Sequence, residues 1–344
     1  MHLHLKASRG FTIVELLIVI VVIGILAAIT IVAYSSVSRR ATVANLQSDL
    51  TNASNLLKLF QVDNNVYPDT IICAQPDDTA NKCLKPSGGV TYTYSVNNVT
   101  NPQTFCVNAT RGGIGYSIGP NTKASLGVGC PVFSLDAGET ASYSGSGTSW
   151  KNIGSGGGTG TLQGGVNYSS SGGGALGFDG TSGYVSTAFP TGPNFDTDFT
   201  VSIWIKSASF GIGTGIFQKT DPGSYSTSKG FSITNISSPQ TVYVWLSNGA
   251  SVKALNTGLN TYGWTNLTVT RSGNVVQSYL NAANIGTLDL TAFGSINGSN
   301  GLELGRGNNG YWNGSLASTA IYDRALTSAE VLLNFNSTKA RYGL

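Results

Sequence analysis

Leu16 to Ser38 runs for 23 residues without a charged side chain, and only Gly24 interrupts its aliphatic character. A helix of that length reaches across the hydrocarbon core of a bilayer. The segment therefore belongs in lipid or against other apolar helices, and the pattern predicts a transmembrane span over about residues 14–36. A secretory signal would have a shorter apolar region and an A-x-A-like cleavage site, and neither fits. Glu15 stands at the head of the run, behind Phe11, Ile13 and Val14. A carboxylate facing lipid is costly and marks a functional position. It needs a cation, and no basic residue lies in the helix turns that follow.

The order of features is a short basic leader with Lys6 and Arg9, a Gly10-Phe11 junction, Glu15 at the fifth position after it, and the apolar run. With that order, roughly the first 60 residues resemble the N-terminus of type IV prepilins and type II secretion pseudopilins. The resemblance implies cleavage by a prepilin peptidase after Gly10, N-methylation of the new terminal Phe11, and pairing of Glu15 with the terminal ammonium of a neighbouring subunit. Cleavage supplies the cation that Glu15 lacks, since a buried charge is tolerable with a partner and not alone. The implied partners are identical or related pilin subunits in a helical filament, the peptidase, and inner-membrane assembly machinery. Lys6 and Arg9 place the N-terminus in the cytoplasm. The subunit is then a single-pass plasma-membrane protein before assembly and part of an extracellular pilus at the cell surface after it. Many pilins carry a proline in mid-run; this chain has none, which implies a straighter helix.

Beyond Arg40, Val43, Leu46, Leu50, Ala53, Leu57 and Phe60 recur at helical spacing. They predict one continuous helix over 11–62, stopped by Val66-Tyr67-Pro68. Residues 63–131 read as a small head with strands at 90–96, 104–109 and 115–118. Cys73, Cys83, Cys106 and Cys130 lie in this exported segment and imply two disulfides. Free thiols or an all-cysteine zinc site are the alternatives, and the lack of a C-x-x-C pair argues against zinc. Three pairings are open; the favoured one joins Cys73 to Cys83 across a polar loop and Cys106 to Cys130 across the sheet.

From Val132 the helical period disappears. Short β-rich runs alternate with Gly, Ser and Asn turns, which predicts a sandwich. Ten strands are expected, from 175–178 to 315–322, with 301–305 among them and one helix at 328–334. Ile203-Trp204-Ile205 and Val242-Tyr243-Val244-Trp245 are expected to supply large core-facing residues. Ala175-Leu-Gly-Phe-Asp-Gly-Thr-Ser-Gly-Tyr-Val185, Trp264 to Arg271 and Ile321-Tyr-Asp-Arg-Ala-Leu-Thr-Ser-Ala-Glu330 resemble the LamG-like, concanavalin A-like jellyroll family. The fold class is therefore α+β: a long N-terminal pilin helix with a small antiparallel head, followed by an all-β jellyroll. The domains are a leader over 1–10, a helix over 11–62, a head over 63–131 and a jellyroll over 132–344.

The chain has 45 glycines and a net charge of +3, of which Lys6 and Arg9 supply two. Val132 to Leu344 holds ten bases and ten acids, so no basic face supports nucleic-acid binding or a DNA-uptake role. The only histidines are His2 and His4, which excludes histidine triads and His-ligated zinc from the head and jellyroll. No catalytic residue is expected. Glycoside hydrolysis needs two carboxylates in one cleft, while Glu139, Glu303 and Glu330 are far apart in sequence and Asp196 with Asp198 reads as a turn. The LamG-like resemblance implies that Asp179 and Asp323 are the candidate ligands for Ca²⁺, with turn capping the preferred reading of each. Trp150, Tyr225, Tyr311 and Trp312 lie in glycine-rich loops and are the candidates for stacking on a sugar, with packing the preferred reading of each. Together these features point to a filament subunit that displays a lectin-like domain for adhesion to a surface glycan or protein. A secretion pseudopilin and a purely structural jellyroll are the competing expectations.

Overall fold

The computed structural model describes residues 13–99, 102–188, 193–209, 213–223, 228–237, 240–259 and 262–344. Helix α1 spans Ile13–Asn64. It ends where Asn65 takes the left-handed conformation, with φ 61°, and donates its N–H to the Gln61 carbonyl. The two halves of α1 meet different surroundings. In the second half Leu46, Leu50, Ala53, Leu57 and Phe60 are buried against the head. In the first half Leu16, Ile20 and Ile23 are about 60% exposed, and no other described residue buries them. Among the described residues no helix is long and apolar enough to cross a membrane. The span expected over 14–36 includes side chains outside that set, so it stays a reading of the sequence.

The head is a four-stranded antiparallel sheet in chain order: β1 (Thr91–Asn97), β2 (Thr104–Arg111), β3 (Ile114–Ile118) and β4 (Ser125–Leu126). Gly112 and Gly113 both have positive φ, which the two-residue β2–β3 turn requires. Val107, Ala109 and Ile118 pack on α1, and the Tyr67 ring meets Phe105 edge-on at 4.8 Å. Disulfides join Cys73 to Cys83 and Cys106 to Cys130.

The jellyroll has an eight-stranded and a ten-stranded sheet with one core between them. Its ladders are antiparallel except for one short parallel contact, Gly215 with Tyr311. Strand Asn313–Tyr322 is the centre of the first sheet, pairing with Phe199–Ser207 on one side and with Ala175–Asp179 and Phe133–Asp136 on the other. Phe195, Phe199, Phe217 and Phe231 interlock between the sheets at centroid distances from 4.8 to 6.2 Å. Gly305 has φ +80°, and a Cβ there would lie 2.3 Å from the Phe178 ring, so backbone and packing both demand glycine.

Several expectations are corrected. Tyr243 and Trp245 alternate with the buried Val242, Val244 and Leu246 and therefore lie on the outer face. Trp204 is buried, but outside the main core: it stacks on Tyr342 at 4.1 Å and on Phe335 at 5.8 Å. Only Glu303–Leu304 of the run 301–305 pairs as a strand, and there are further strands, including Thr159–Gln163, Val166–Ser169 and Ala283–Asp289. The second helix, α2, runs over Ser328–Thr338, longer than expected. Thr327 caps it, and Glu330 completes a reciprocal capping box.

Helix α2 and the segment behind it join the two bodies. Ser337 Oγ accepts from Gly115 N–H at 2.9 Å, and Asn334 Oδ1 accepts from Val128 N–H at 2.7 Å. Arg39 of α1 donates to the Ser337 carbonyl at 2.9 Å. On the other side Arg341 grips the Asp136 carboxylate with both terminal nitrogens, at 2.7 and 2.5 Å.

Candidate functional site

The N-terminal site lies partly beyond the described residues. Gly10 and Phe11 fall outside them, as does the side chain of Glu15, whose backbone belongs to α1. What the structure shows is the platform: an apolar half-helix projecting from a head that buries only the other half.

Among the described residues the candidate jellyroll aromatics are not gathered on one exposed surface. Trp150 and Trp312 are fully buried, with Trp312 packed 5.6 Å from Phe178. Neither can meet a sugar; both are packing residues, the preferred reading of each. The inward face of a short strand holds Trp150, and the core between the sheets holds Trp312. Tyr311 is half-buried, 6.1 Å from Tyr184, whose ring lies 3.8 Å below the Arg306 guanidinium. Tyr225 is outside the described residues.

The two calcium candidates are not brought together. Asp179 pairs with Asn313 at one end of the ten-residue strand Asn313–Tyr322, and Asp323 follows its other end. At about 3.3 Å per residue that is some 30 Å. Asp179 Oδ1 accepts from the N–H groups of Thr181, Ser182 and Gly183, and Oδ2 from the hydroxyls of Thr181 and Ser182. These bonds, led by that from Ser182 N–H, hold its carboxyl well below the usual range. Five donors leave no free lone pair for a cation, so Asp179 does not fit a calcium ligand. Asp323 borders a cavity of about 240 Å³ with Asn194 and Thr197. No group of three or more metal-ligating side chains occurs among the described residues.

The glutamates are separated too. Glu303 is bound by Arg306 and Glu330 by Arg324. Burial pushes the Glu330 carboxyl up, but the Arg324 hydrogen bonds and the Thr327 cap outweigh it and the net shift is downward. Both are structural groups, each held by an arginine.

Comparison with known proteins bears on both ends of the molecule. Residues 5–31 match the family described as the prokaryotic N-terminal methylation motif, and residues 179–332 match the concanavalin A-like lectin/glucanases superfamily. The chain thus joins a prepilin-type methylation segment to a concanavalin A-like jellyroll. More particularly, it is similar to the type II secretion system core protein G of Escherichia coli strain K12, with 36% identity over 63 residues, 18% of this chain and 43% of that protein. It is likewise similar to the type IV wide pilus major component PilA4 of Thermus thermophilus, with 38% identity over 63 residues, again 18% of this chain and 48% of that protein. The chain spans less than half the length of these curated relatives. Among solved structures, the binding domain of Paraclostridial Mosquitocidal Protein 1 is 17% identical with a TM-score of 0.49, covering 60% of this chain and 52% of that one. The receptor binding domain of botulinum neurotoxin D is 10% identical with a TM-score of 0.48, covering 61% and 53%. Nothing further rests on these two likenesses.

Proposed function

We propose that the chain is a prepilin whose mature form is a subunit of a type IV pilus-like filament carrying its jellyroll outward for adhesion to a glycan or protein. The observation that carries this reading is the bare apolar half of α1, with exposures near 60%, in a chain whose residues 5–31 match a methylation motif. A surface that apolar is stable only in lipid or among other helices. Cleavage after Gly10 frees the Phe11 amine for methylation, and the resulting ammonium pairs with Glu15 of a neighbouring subunit. Before assembly the helix holds the subunit as a single pass in the plasma membrane. The role is mechanical and adhesive, without catalysis and without a bound metal. A secretion pseudopilin is the second reading, favoured by the type II secretion relatives and disfavoured by the size of the body appended after Pro131.

Expression with a prepilin peptidase tests the first step. The wild-type chain should lose its leader and a Gly10→Val variant should not; processing of that variant at the normal mass refutes the prepilin reading. Glu15→Ala should be processed and held in membranes, yet yield at least tenfold fewer sheared filaments. Normal filament yield removes Glu15 from assembly.

A further inference from the structure

The polar side chains of this molecule divide into two groups. In the jellyroll loops the acids and amides are occupied: Asp179, Asp289 and Asn248 accept backbone N–H groups of their own turns, and Asp196 and Asp221 accept those of Ile296 and Ser299 in a neighbouring loop. A groove beside the sheet of the eight-stranded layer is similar, since Tyr279 donates to Gln277 and Thr327 is held by Glu330.

The junction between head and jellyroll is different. A cleft of about 530 Å³ opens there, with Gln47 on α1, Tyr116 and Asn121 to Leu126 on the head, and Asp136, Glu139 and Asn152 on the jellyroll. A second hollow of about 330 Å³ continues it along α1 to Ser54 and Lys58, and the two share Gln47, Thr122, Lys123 and Ala124. One groove therefore crosses from helix to sandwich. Among the described residues the side chains of Gln47, Asn121, Lys123 and Glu139 make no hydrogen bond or ion pair, and all four are exposed to the groove region. Ser54, 2% exposed, lines the helix end with a buried hydroxyl that has no partner. Asp136 is neutralised by Arg341, which leaves Glu139 as the free carboxylate of the cleft.

We infer that this groove, rather than the glycine-rich loops of the jellyroll, is the glycan-binding site of the subunit, and that it takes a hydroxyl-rich oligosaccharide. The inference rests on the adhesive reading above and names its site. A sugar hydroxyl donates and accepts at once, so it needs a wall that does both. Lys123 and the amide nitrogens of Gln47 and Asn121 donate; Glu139 and the amide oxygens accept. The edge of Tyr116, buried in the head core, closes the floor of the cleft. A peptide would need apolar pockets for its side chains, and the lining has few large apolar groups. The combined space suits a ligand longer than one sugar ring, within the usual range for ligand sites. A site built from both bodies also fixes the ligand to the head and the jellyroll together.

The full chain in detergent is applied to an array of neutral and acidic oligosaccharides, beside a variant carrying Asn121→Ala, Lys123→Ala and Glu139→Gln. A Gln240→Ala variant at an exposed sheet position is the control, and thermal melts check that each is folded. The expected result is binding by the wild type and the control, with affinity reduced about tenfold or more in the triple variant. Wild-type binding that the triple variant retains overturns the groove and leaves adhesion standing. Absence of wild-type binding to every oligosaccharide overturns the glycan reading and the groove together.

Discussion

Asp179 shows how the loops of this sandwich use their acids. One carboxylate gathers three backbone N–H groups and two hydroxyls, and so closes the turn from Thr181 to Gly183. Its folded pKa lies below the unfolded value of about 4. The stability it adds is therefore present above that value and is lost as pH falls toward the folded one. Asp179→Asn keeps one acceptor oxygen and loses the charge. The variant should be about 1 kcal/mol less stable at neutral pH, allowing for the exposure of the group. Melts at pH 7, 4 and 2 should show the gap closing with acid; a constant gap would mean that the charge contributes nothing. The same residue marks a limit of sequence reading. Asp-Gly-Thr-Ser-Gly is visible as a turn, but whether its carboxylate faces inward or toward a metal depends on donors that only the folded loop aligns. Trp150 and Trp312 mark another: their glycine-rich flanks leave a stacking role open beside the packing one, and only the fold shows both fully buried.

At the scale of elements, α1 was the most legible part, because its two surfaces are written in two periods. An unbroken apolar run needs an outside partner. The later stripe at Leu46, Leu50, Ala53 and Leu57 needs only the head, and the structure buries it there. The strands were legible where β-branched and aromatic residues cluster, as in Phe199–Ser207 and Thr265–Ser272. Thr159–Gln163 and Val166–Ser169 pair through neighbours already in place, and their Gly and Ser content gives no signal of its own. Val242 to Leu246 shows the alternation clearly, but both of its faces are large, so period alone could not say which points inward. The head sheet depends on a covalent tie as well as on burial. Cys106 and Cys130 close a loop of 24 positions from β2 to the end of the head. Replacing both with serine should cost about 3 kcal/mol through the freed unfolded chain. A urea midpoint that does not move would show that the Asn108 contact to Gly129 and the packing on α1 hold that end alone.

For the whole molecule the question is whether head and jellyroll behave as two bodies or one. Their cores are separate clusters, and a chain of this length would ordinarily unfold in two steps. The contacts of α2 argue for coupling. It belongs to the jellyroll by connectivity, yet Asn334 and Ser337 satisfy backbone N–H groups of the head, and Arg39 reaches the Ser337 carbonyl. The fit is close, because a Cβ on Gly115 would lie 2.7 Å from Val128 and 3.3 Å from Leu333. None of this was legible from residue types, since the groups that meet are separated by about 200 positions and the helix reads simply as a capped C-terminal segment. The groove has the same origin: α1, the head and the first jellyroll loops each give a few polar residues with no motif among them. If α2 couples the bodies, calorimetry of the full chain should give one transition. Asn334→Ala leaves Val128 N–H and its carbonyl without their partner, at a cost of about 1–3 kcal/mol. That variant, combined with Ser337→Ala, should separate the trace into a head transition and a jellyroll transition, with the reversible head step moving to lower temperature. Two transitions already present in the wild type would mean that the bodies are merely tethered, and that a load on the jellyroll reaches α1 through the chain at Pro131 alone.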